Sequence, residues 1–376
     1  MKKILKNIGK SLLFHGLFPM LYRWHARKPV VNNSVLFIEV RYGEITDNFT
    51  LLYEEFCKRE DFTVEAALLG NSVFSYKEYI KACLHMLKGL APAEYVFVDE
   101  SSNVLAALPI RKETKLVQVW HGCGAFKRFG YGGANKLTEK YYNDYYFTAV
   151  SSPEVVDIYA ESMGQNRDKV LPIGVSRTDV FFNQEYIKQC NKEIRDRYNI
   201  DRDKRIILYA PTFRGNVQEA RSPRLLDTGK LYDGLGGRYV ILYKGHPAVK
   251  ESPKVDEEHK DFLIDASEEK IAALMCSADC CITDYSSLIF EYALLGRPMY
   301  FYAYDYKEYV TERGFYYGYD EFVPGDIYYN EEELVKGILR TDDKAVSRID
   351  AFRERYMSAC DGDSTRRIID RLLAVQ

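Results

Sequence analysis

The chain alternates short apolar runs with longer stretches in which apolar residues recur every three or four positions. Short apolar runs predict buried strands, and the longer spacing predicts amphipathic helices. Alternating strands and helices are typical of parallel α/β sheets. The predicted strands form two series, and we therefore expect two Rossmann-like domains. The first series is 35–40, 95–99, 116–120, 145–150 and 170–174, and the second is 205–211, 239–245, 262–266, 279–283 and 299–304.

Helices are predicted between these strands, and one of them shows both of its ends in the sequence. Residues 152–154 are typical of a helix start, and Gly164 is typical of a helix stop. Three closing helices are too short to form a separate domain, near 331–340, 345–357 and 364–374. We expect four parts, which are an N-terminal helix over 1–30, a first domain over 31–185, a second over 186–345, and C-terminal helices over 346–376 that pack back on the domains.

The first 30 residues combine helical apolar spacing with positive charge and no acidic residue. The longest run without a charged residue, 11–22, is too short to cross a bilayer, and no small-residue cleavage site follows it. A basic amphipathic helix binds the interface of an anionic membrane, which is the location we expect. The alternative is a helix that packs on the domain core. The cations are Lys2, Lys3, Lys6, Lys10, Arg23, Arg27 and Lys28.

Composition narrows the class of protein further. The chain has 376 residues and a net charge of −3, so the positive charge of the N-terminus does not continue in the rest of the chain. This charge distribution excludes nucleic acid as the main partner. Its eight cysteines show no metal-ligand spacing, which indicates reduced thiols in the cytosol. We expect no metal and no cofactor. Tyrosine is common, with 31 copies, and most of these are expected to replace Phe at half-buried positions. The others suit wet clefts and interfaces, including those of a homo-oligomer.

Polar side chains that follow the predicted strands are the candidate site, because ligands of open α/β sheets bind beyond the carboxyl ends of strands. The stretch VWHGCGAFKRFG places His121 and Gly122 directly after a strand, with Lys127 close behind. His246 follows another strand in the same way. A histidine titrates near neutral pH and can accept a proton from a reacting hydroxyl. His121 and His246 are the catalytic candidates, and the alternative for each is a structural histidine.

The segment TDYSSLIFEYALLGRP predicts an anion site in the second half of the chain. A strand ends at Asp284, Ser286 or Ser287 opens a helix, and Glu291 lies about one turn inside it. The N-terminus of a helix offers unpaired N–H groups and a positive dipole end to an anion. We therefore predict a seat for a diphosphate, with a structural cap as the alternative role of Asp284.

Further cationic candidates stand near this predicted seat. Arg214 follows the strand 205–211, and a guanidinium can hold phosphate oxygens in a two-pronged grip. His246 near a phosphate would neutralise charge that develops on the phosphoryl group. Arg313 opens the tyrosine-rich stretch RGFYYGYDEF. No residue pattern in the chain requires a metal.

The order of these motifs resembles the CDP-glycerol glycerophosphotransferase family, the enzymes that build teichoic acids and similar capsular polymers. The motifs are VWHG followed by KRFG, then YAPTFR, GHP, and TDYSSLIFEYALLGRPMYFYAYDYKEY with RGFYY. The resemblance implies a GT-B-like fold, with two Rossmann-like domains facing each other across a cleft. It also implies a monotopic protein on the cytoplasmic face of the cell membrane. His121 matches the catalytic base of the family, and the positions that match its CDP-alditol site are Arg214, His246, Asp284, Ser286, Ser287 and Arg313.

The resemblance implies transfer of glycerol phosphate from CDP-glycerol to a hydroxyl of a lipid-linked glycan or poly(alditol phosphate), with release of CMP. His121 would accept the proton of that hydroxyl. Cys123-Gly124-Ala125 and Glu291 depart from the family pattern, which leaves CDP-ribitol open as the donor. A GT-B glycosyltransferase that uses a nucleotide sugar and a non-catalytic scaffold at the membrane are the remaining alternatives.

Overall fold

The structure, a computed structural model, describes residues 11–133, 140–215, 220–247, 249, 257–340 and 343–374, without the side chains of 312–313 and 343–346. The chain divides into two compact units. The first contains Met1–Cys123, Phe129–Asp179 and Ser358–Gln376, and the second contains Gly124–Arg128 and Val180–Met357. The segment Gly124–Arg128 thus belongs to the second unit, although the chain on both sides of it belongs to the first.

Each unit is built on one parallel six-stranded sheet. The strands of the first sheet are β1 (Val31–Glu39), β2 (Thr63–Leu68), β3 (Ala93–Val98), β4 (Lys115–Gln118), β5 (Phe147–Ala149) and β6 (Val170–Leu171). Those of the second are β7 (Arg205–Tyr209), β8 (Tyr239–Tyr243), β9 (Leu263–Asp265), β10 (Cys280–Thr283), β11 (Met299–Tyr302) and β12 (Asp326–Tyr328). Their orders are β2-β1-β3-β4-β5-β6 and β12-β11-β10-β7-β8-β9.

Helices connect the strands of both sheets. In chain order they are α1 (Phe18–His25), α2 (Thr50–Cys57), α3 (Tyr76–Leu90), α4 (Asn103–Ala107), α5 (Val156–Met163), α6 (Gln184–Arg197), α7 (Thr228–Leu235), α8 (Ile271–Ser277), α9 (Leu288–Ala293), α10 (Tyr306–Arg313), α11 (Tyr319–Phe322), α12 (Glu331–Arg340), α13 (Asp343–Tyr356) and α14 (Ser364–Leu373). Gly164 ends α5 with φ +63°, the left-handed conformation that glycine adopts without strain.

The first sheet is covered by aromatic side chains and by the C-terminal helix. Phe37 on β1 stacks on Phe97 of β3, with ring centroids 4.9 Å apart. Ile368, Ile369 and Leu372 of α14 belong to the same core. Parallel sheets are covered on both faces, which explains why their central strands consist of continuous apolar runs.

Tyrosine supplies a large part of the buried core of the second unit. Tyr209 and Tyr302 are almost fully buried there. A buried phenol needs a hydrogen-bond partner. The Tyr302 hydroxyl donates to Glu331 at 2.9 Å, and the Tyr292 hydroxyl donates to the carbonyl of Ala278 at 3.1 Å. These tyrosines thus pack in the core in place of phenylalanine, and they are buried more deeply than the half-buried positions expected for most tyrosines.

The apolar pattern predicts ten strands, all of which are present, and does not predict β2 and β12. Both lie at an edge of their sheets. The residues of β2 are exposed or half-buried except for the buried Ala67, and those of β12 are exposed or half-buried. The edge position alone does not explain the difference, because β6 and β9 lie at the opposite edges and are predicted.

Residues 12–25 are helical, with a π-helical stretch over Leu12–Leu17 that leads into α1. One face packs on the first unit, where Phe14, Phe18 and Tyr22 are buried. The Tyr22 hydroxyl accepts a hydrogen bond from the backbone N–H of Arg111 at 3.1 Å. Residues 1–10 lie outside the described residues, so the helix predicted over 1–30 is not confirmed as a whole. Within the described part of the chain, every helix falls short of the length and apolar character that a membrane crossing needs.

Candidate active site

A sharp turn places His121 just beyond the carboxyl end of β4. Trp120, the residue before it, has φ +56°, a left-handed conformation that a bulky side chain rarely adopts. The side chain of the buried Gln118 holds this turn. Its Oε1 accepts the backbone N–H of Trp120 at 2.9 Å, and its Nε2 donates to the Tyr145 hydroxyl at 3.1 Å. A strained residue at a strand end is a common mark of a functional site.

The imidazole of His121 contacts a buried carboxylate. Its Nδ1 pairs with Oε1 of Glu100, the second residue after β3. The same oxygen lies 2.6 Å from Nη2 of Arg41, which follows β1. The Glu100 side chain is 9% exposed and that of His121 is 35% exposed, so one partner is buried and the other reaches solvent. Burial acts to raise the pKa of Glu100, but His121 and then Arg41 outweigh it and hold that pKa below its ordinary value.

The backbone of His121 is held as well as its ring. Its carbonyl accepts a hydrogen bond from Nη1 of Arg177 at 2.7 Å, and the same nitrogen donates to the side chain of Asn48 at 2.6 Å. Asn48 in turn donates to Oδ2 of Asp99 at 2.7 Å. Burial, and then the charge of the nearby Glu39, raise the pKa of Asp99 well above its ordinary value. Groups that follow β1, β3 and β4 therefore form one polar network around His121.

The guanidinium of Arg214 is paired with two carboxylates of the second unit. Its Nε and Nη2 donate to Asp305 at 2.5 and 3.0 Å, and its Nη1 lies 3.0 Å from Asp284 Oδ2. Nη1 also donates to the carbonyl of Thr212 at 2.6 Å. Burial acts to lower the pKa of Arg214, but Asp284 and Asp305 outweigh it and raise that pKa. Arg214 thus joins the chain segments that follow β7, β10 and β11.

The predicted diphosphate seat is a short capped helix. Oδ1 of Asp284 accepts the backbone N–H groups of Thr212 and Tyr285 at 2.8 and 2.6 Å, which ties two loops together. The Ser286 hydroxyl accepts the N–H of Leu288 at 3.3 Å and so caps α9. Ser287 is exposed at the start of α9, and Glu291 is buried within it.

The remaining predicted residues lie in both units. Gly122, in the first unit, accepts the Tyr159 hydroxyl at its carbonyl at 3.2 Å. Lys127, in the second, forms an isolated antiparallel bridge with Phe315. His246 is exposed after β8, with its ring 4.6 Å from that of Phe213. Arg313 ends α10, and its side chain lies outside the described residues.

Five residues of the network around His121 are not predicted from the sequence: Arg41, Asn48, Asp99, Glu100 and Arg177. A signal for two of them was present, since Asp99 and Glu100 directly follow a buried strand in the stretch VFVDES. The carboxyl ends of neighbouring parallel strands meet at one edge of a sheet, and β3 lies beside β4. Among the described residues, no group of three or more His, Cys, Asp or Glu side chains is arranged to hold a metal ion.

The sequence profile of the CDP-Glycerol:Poly(glycerophosphate) glycerophosphotransferase family matches residues 20–374. The chain belongs to this family. It is 34% identical to the teichoic acid ribitol-phosphate primase of Bacillus spizizenii, over 98% of this chain and 97% of that protein. It is 30% identical to the teichoic acid glycerol-phosphate primase of Bacillus subtilis, over 90% of this chain and 88% of that protein. The family match confirms the prediction of an enzyme of the glycerophosphotransferase class in teichoic acid synthesis.

Longer relatives and solved structures extend this similarity. The chain is 34% identical to the teichoic acid poly(ribitol-phosphate) polymerase of Bacillus spizizenii, over 96% of this chain, but it spans only 59% of that protein. A structure of the wall teichoic acid polymerase TagF matches with a TM-score of 0.76 at 24% identity, over 99% of this chain and 96% of that one. This match confirms the GT-B-like fold.

Proposed function

We propose that the chain transfers an alditol phosphate from a CDP-alditol to a hydroxyl group of a teichoic acid-type acceptor. The acceptor oxygen forms a bond to the β-phosphorus of the donor, the bond from that phosphorus to the bridging oxygen breaks, and CMP leaves. His121 takes the acceptor proton on Nε2, the nitrogen opposite the one that contacts Glu100. The observation that carries this proposal is a half-exposed histidine, held by its ring and its backbone beyond β4, in a chain of this family.

Donor binding is assigned to the second unit. Phosphoryl transfer depends on positioning and charge stabilisation more than on covalent help from the protein. Ser287 and His246 are exposed beyond the strands of the second sheet, where a diphosphate would bind. Because Arg214 is already paired with Asp284 and Asp305, we assign it to holding the loops beneath the donor. Arg313 stays a predicted donor contact, and Lys127 stays a predicted substrate contact.

Glycerol phosphate is the transferred group that the family description suggests. Ribitol phosphate is the second candidate, and a specific observation favours it. Over at least 96% of this chain, four relatives between 31% and 34% identical are named as ribitol-phosphate primases or polymerases. The glycerol-phosphate primases are 30% identical, and a poly(glycerol phosphate) polymerase is 34% identical over only 57% of this chain. A donor assay must therefore compare both alditols directly.

We place the enzyme at the cytoplasmic face of the membrane, where a lipid-linked acceptor would be held. Four large apolar side chains of the helical stretch 12–25 face solvent: Leu12 is 68% exposed, Leu17 41%, Met20 57% and Trp24 59%. Exposed cations, Arg23 and Arg27, lie beside them. Apolar area together with positive charge favours the surface of an anionic leaflet. A homo-oligomer stays a prediction.

The experiment is a donor assay with purified protein. CDP-glycerol, CDP-ribitol and a panel of nucleotide sugars are offered with a lipid-linked glycan and with an alditol-phosphate oligomer, and the released nucleotide is identified. CMP release with one CDP-alditol, matched by growth of the acceptor by one alditol phosphate, is the expected result. Release of a nucleoside diphosphate from a nucleotide sugar would favour a glycosyltransferase, and no turnover with any donor would favour a scaffold.

A further inference from the structure

The proposed reaction uses one nitrogen of His121, but the other nitrogen has a partner of its own. We propose that Glu100, supported by Arg41, is a positioning residue that sets the tautomer and orientation of His121. This inference rests on the proposed role of His121 as the base. It adds two residues that the motifs of the chain did not indicate.

The contact between Glu100 and His121 determines which ring nitrogen carries the proton. A carboxylate only accepts hydrogen bonds, so the nitrogen that contacts it must carry hydrogen. The contact is made by Nδ1 of His121. In the neutral ring Nε2 then has the lone pair, which is what a general base requires. Glu100 therefore selects the tautomer that can accept the proton of the acceptor hydroxyl.

Glu100 also acts after the proton has moved. Once Nε2 is protonated, the ring is a cation, and an ionised carboxylate next to Nδ1 stabilises it, as in other carboxylate–histidine pairs. The Glu100 side chain is only 9% exposed, so water screens this attraction weakly. His121 and Arg41 keep the pKa of Glu100 low despite its burial, so the carboxylate is ionised at neutral pH.

Arg41 holds Glu100 from the side of β1. Its Nη2 lies 2.6 Å from the oxygen that contacts His121, and its backbone N–H donates to the side chain of Glu39 at 3.0 Å. Strands β1, β3 and β4 are neighbours in the sheet, and each is followed by one member of this group. The other charged groups nearby are Asp99, whose carbonyl lies 3.4 Å from Nδ1, and Arg177, which binds the His121 carbonyl.

A purely structural role for Glu100 makes a different prediction. Glu100 could serve only to neutralise Arg41, and its loss would then lower stability without any specific effect on the chemical step. The two roles are separated by measuring turnover, donor affinity and unfolding on the same variants. They are separated again by asking whether Glu100 matters when His121 is absent.

Glu100→Gln is the first variant to test. Its amide can donate to Nδ1, which would leave the hydrogen on Nε2 and remove the base. We expect turnover to fall about 10²- to 10⁴-fold, while affinity for the CDP-alditol and the unfolding midpoint in urea stay near those of the wild type. Glu100→Asp keeps the charge and should recover part of the rate. In a His121→Ala background, Glu100→Gln should cost less than about twofold, because groups that act as a unit are not additive.

The tautomer can be observed without any variant. The chain has six histidines, so ¹⁵N-labelled histidine gives a spectrum simple enough to assign by substitution. At a pH where the ring is neutral, His121 should show hydrogen on Nδ1. Hydrogen on Nε2, wild-type turnover in Glu100→Gln, or an equal loss with and without His121 would each overturn the proposal. Full turnover in His121→Ala would instead overturn the proposed function, so the two failures are distinct.

Discussion

Asp99 illustrates how its surroundings act on one side chain of this site. It is 2% exposed, and within the described residues its Oδ1 has no hydrogen-bond partner. Its other oxygen accepts from Asn48, which belongs to the network around His121. An unpartnered buried carboxylate is costly to ionise, which agrees with its raised pKa. The network is therefore kept at some expense in stability, as is common at functional sites.

Asp99→Asn should stabilise the protein more at pH 7 than at pH 4. The pKa of Asp99 is raised in the folded state by burial and by Glu39, and is about 3.9 in the unfolded chain. Above pH 4 the folded wild type holds a proton that the unfolded chain releases, so its stability falls as the pH rises toward the folded pKa. Asparagine has no such proton, so urea unfolding should show a larger gain in stability at pH 7 than at pH 4. An equal difference in stability between Asp99→Asn and the wild type at pH 4 and at pH 7 would contradict the raised pKa of Asp99.

At the scale of elements, the apolar pattern predicts the central strands because burial on both faces requires continuous apolar residues. It also predicts the edge strands β6 and β9, but it misses β2 and β12, whose residues are mostly exposed or half-buried. The residues of the site differ in the same way in how clearly the sequence marks them. His121 stands out as a histidine in a glycine-rich loop, whereas Glu100 is one of 55 acidic residues, and only the alignment of β3 beside β4 brings it to His121. A pair of this kind is brought together by the tertiary structure, so no spacing of residues along the sequence indicates it.

The segment Gly124–Arg128 allows the sharpest test at this scale. Gly124 has φ +61°, and a Cβ placed there would lie 2.1 Å from the ring of Phe290. Gly124→Ala should therefore lower the free energy of unfolding by at least about 1–2 kcal/mol. Gly122→Ala is the matched control, because a Cβ there meets Trp120 only at 3.9 Å, and it should change stability by less than about 0.5 kcal/mol. Equal effects in the two variants would show that neither the left-handed backbone of Gly124 nor its closeness to Phe290 requires a glycine.

At the scale of the whole molecule, the proposed location at a membrane surface depends on one helix. The described helix buries Phe14, Phe18 and Tyr22 against the first unit and exposes Met20 and Trp24. A helix that needed only to pack on the core would have little reason to present large apolar residues on its other face. The sequence leaves membrane binding and packing on the core as alternatives, whereas the structure shows one face packed on the first unit and other apolar side chains exposed.

Met20→Glu combined with Trp24→Glu should weaken binding to vesicles that contain anionic lipid by at least about tenfold. The reason is that two apolar side chains proposed to insert into the membrane are replaced by acidic ones. Turnover on a soluble alditol-phosphate acceptor should not change. Leu339→Glu is the control, since Leu339 is also exposed, at 41%, but lies on α12 of the second unit. Vesicle flotation of the three proteins is the measurement. Undiminished flotation of the double variant would rule out this surface.

The central claim is that this chain transfers an alditol phosphate with His121 as the base. The most direct test compares CMP release by the wild type and by His121→Ala, with the preferred CDP-alditol and its acceptor, under single-turnover conditions. We expect the rate to fall about 10²- to 10⁴-fold, with donor affinity unchanged because the proposed donor residues lie in the second unit. CMP release at a near wild-type rate from the variant, with the same product formed, would contradict this claim.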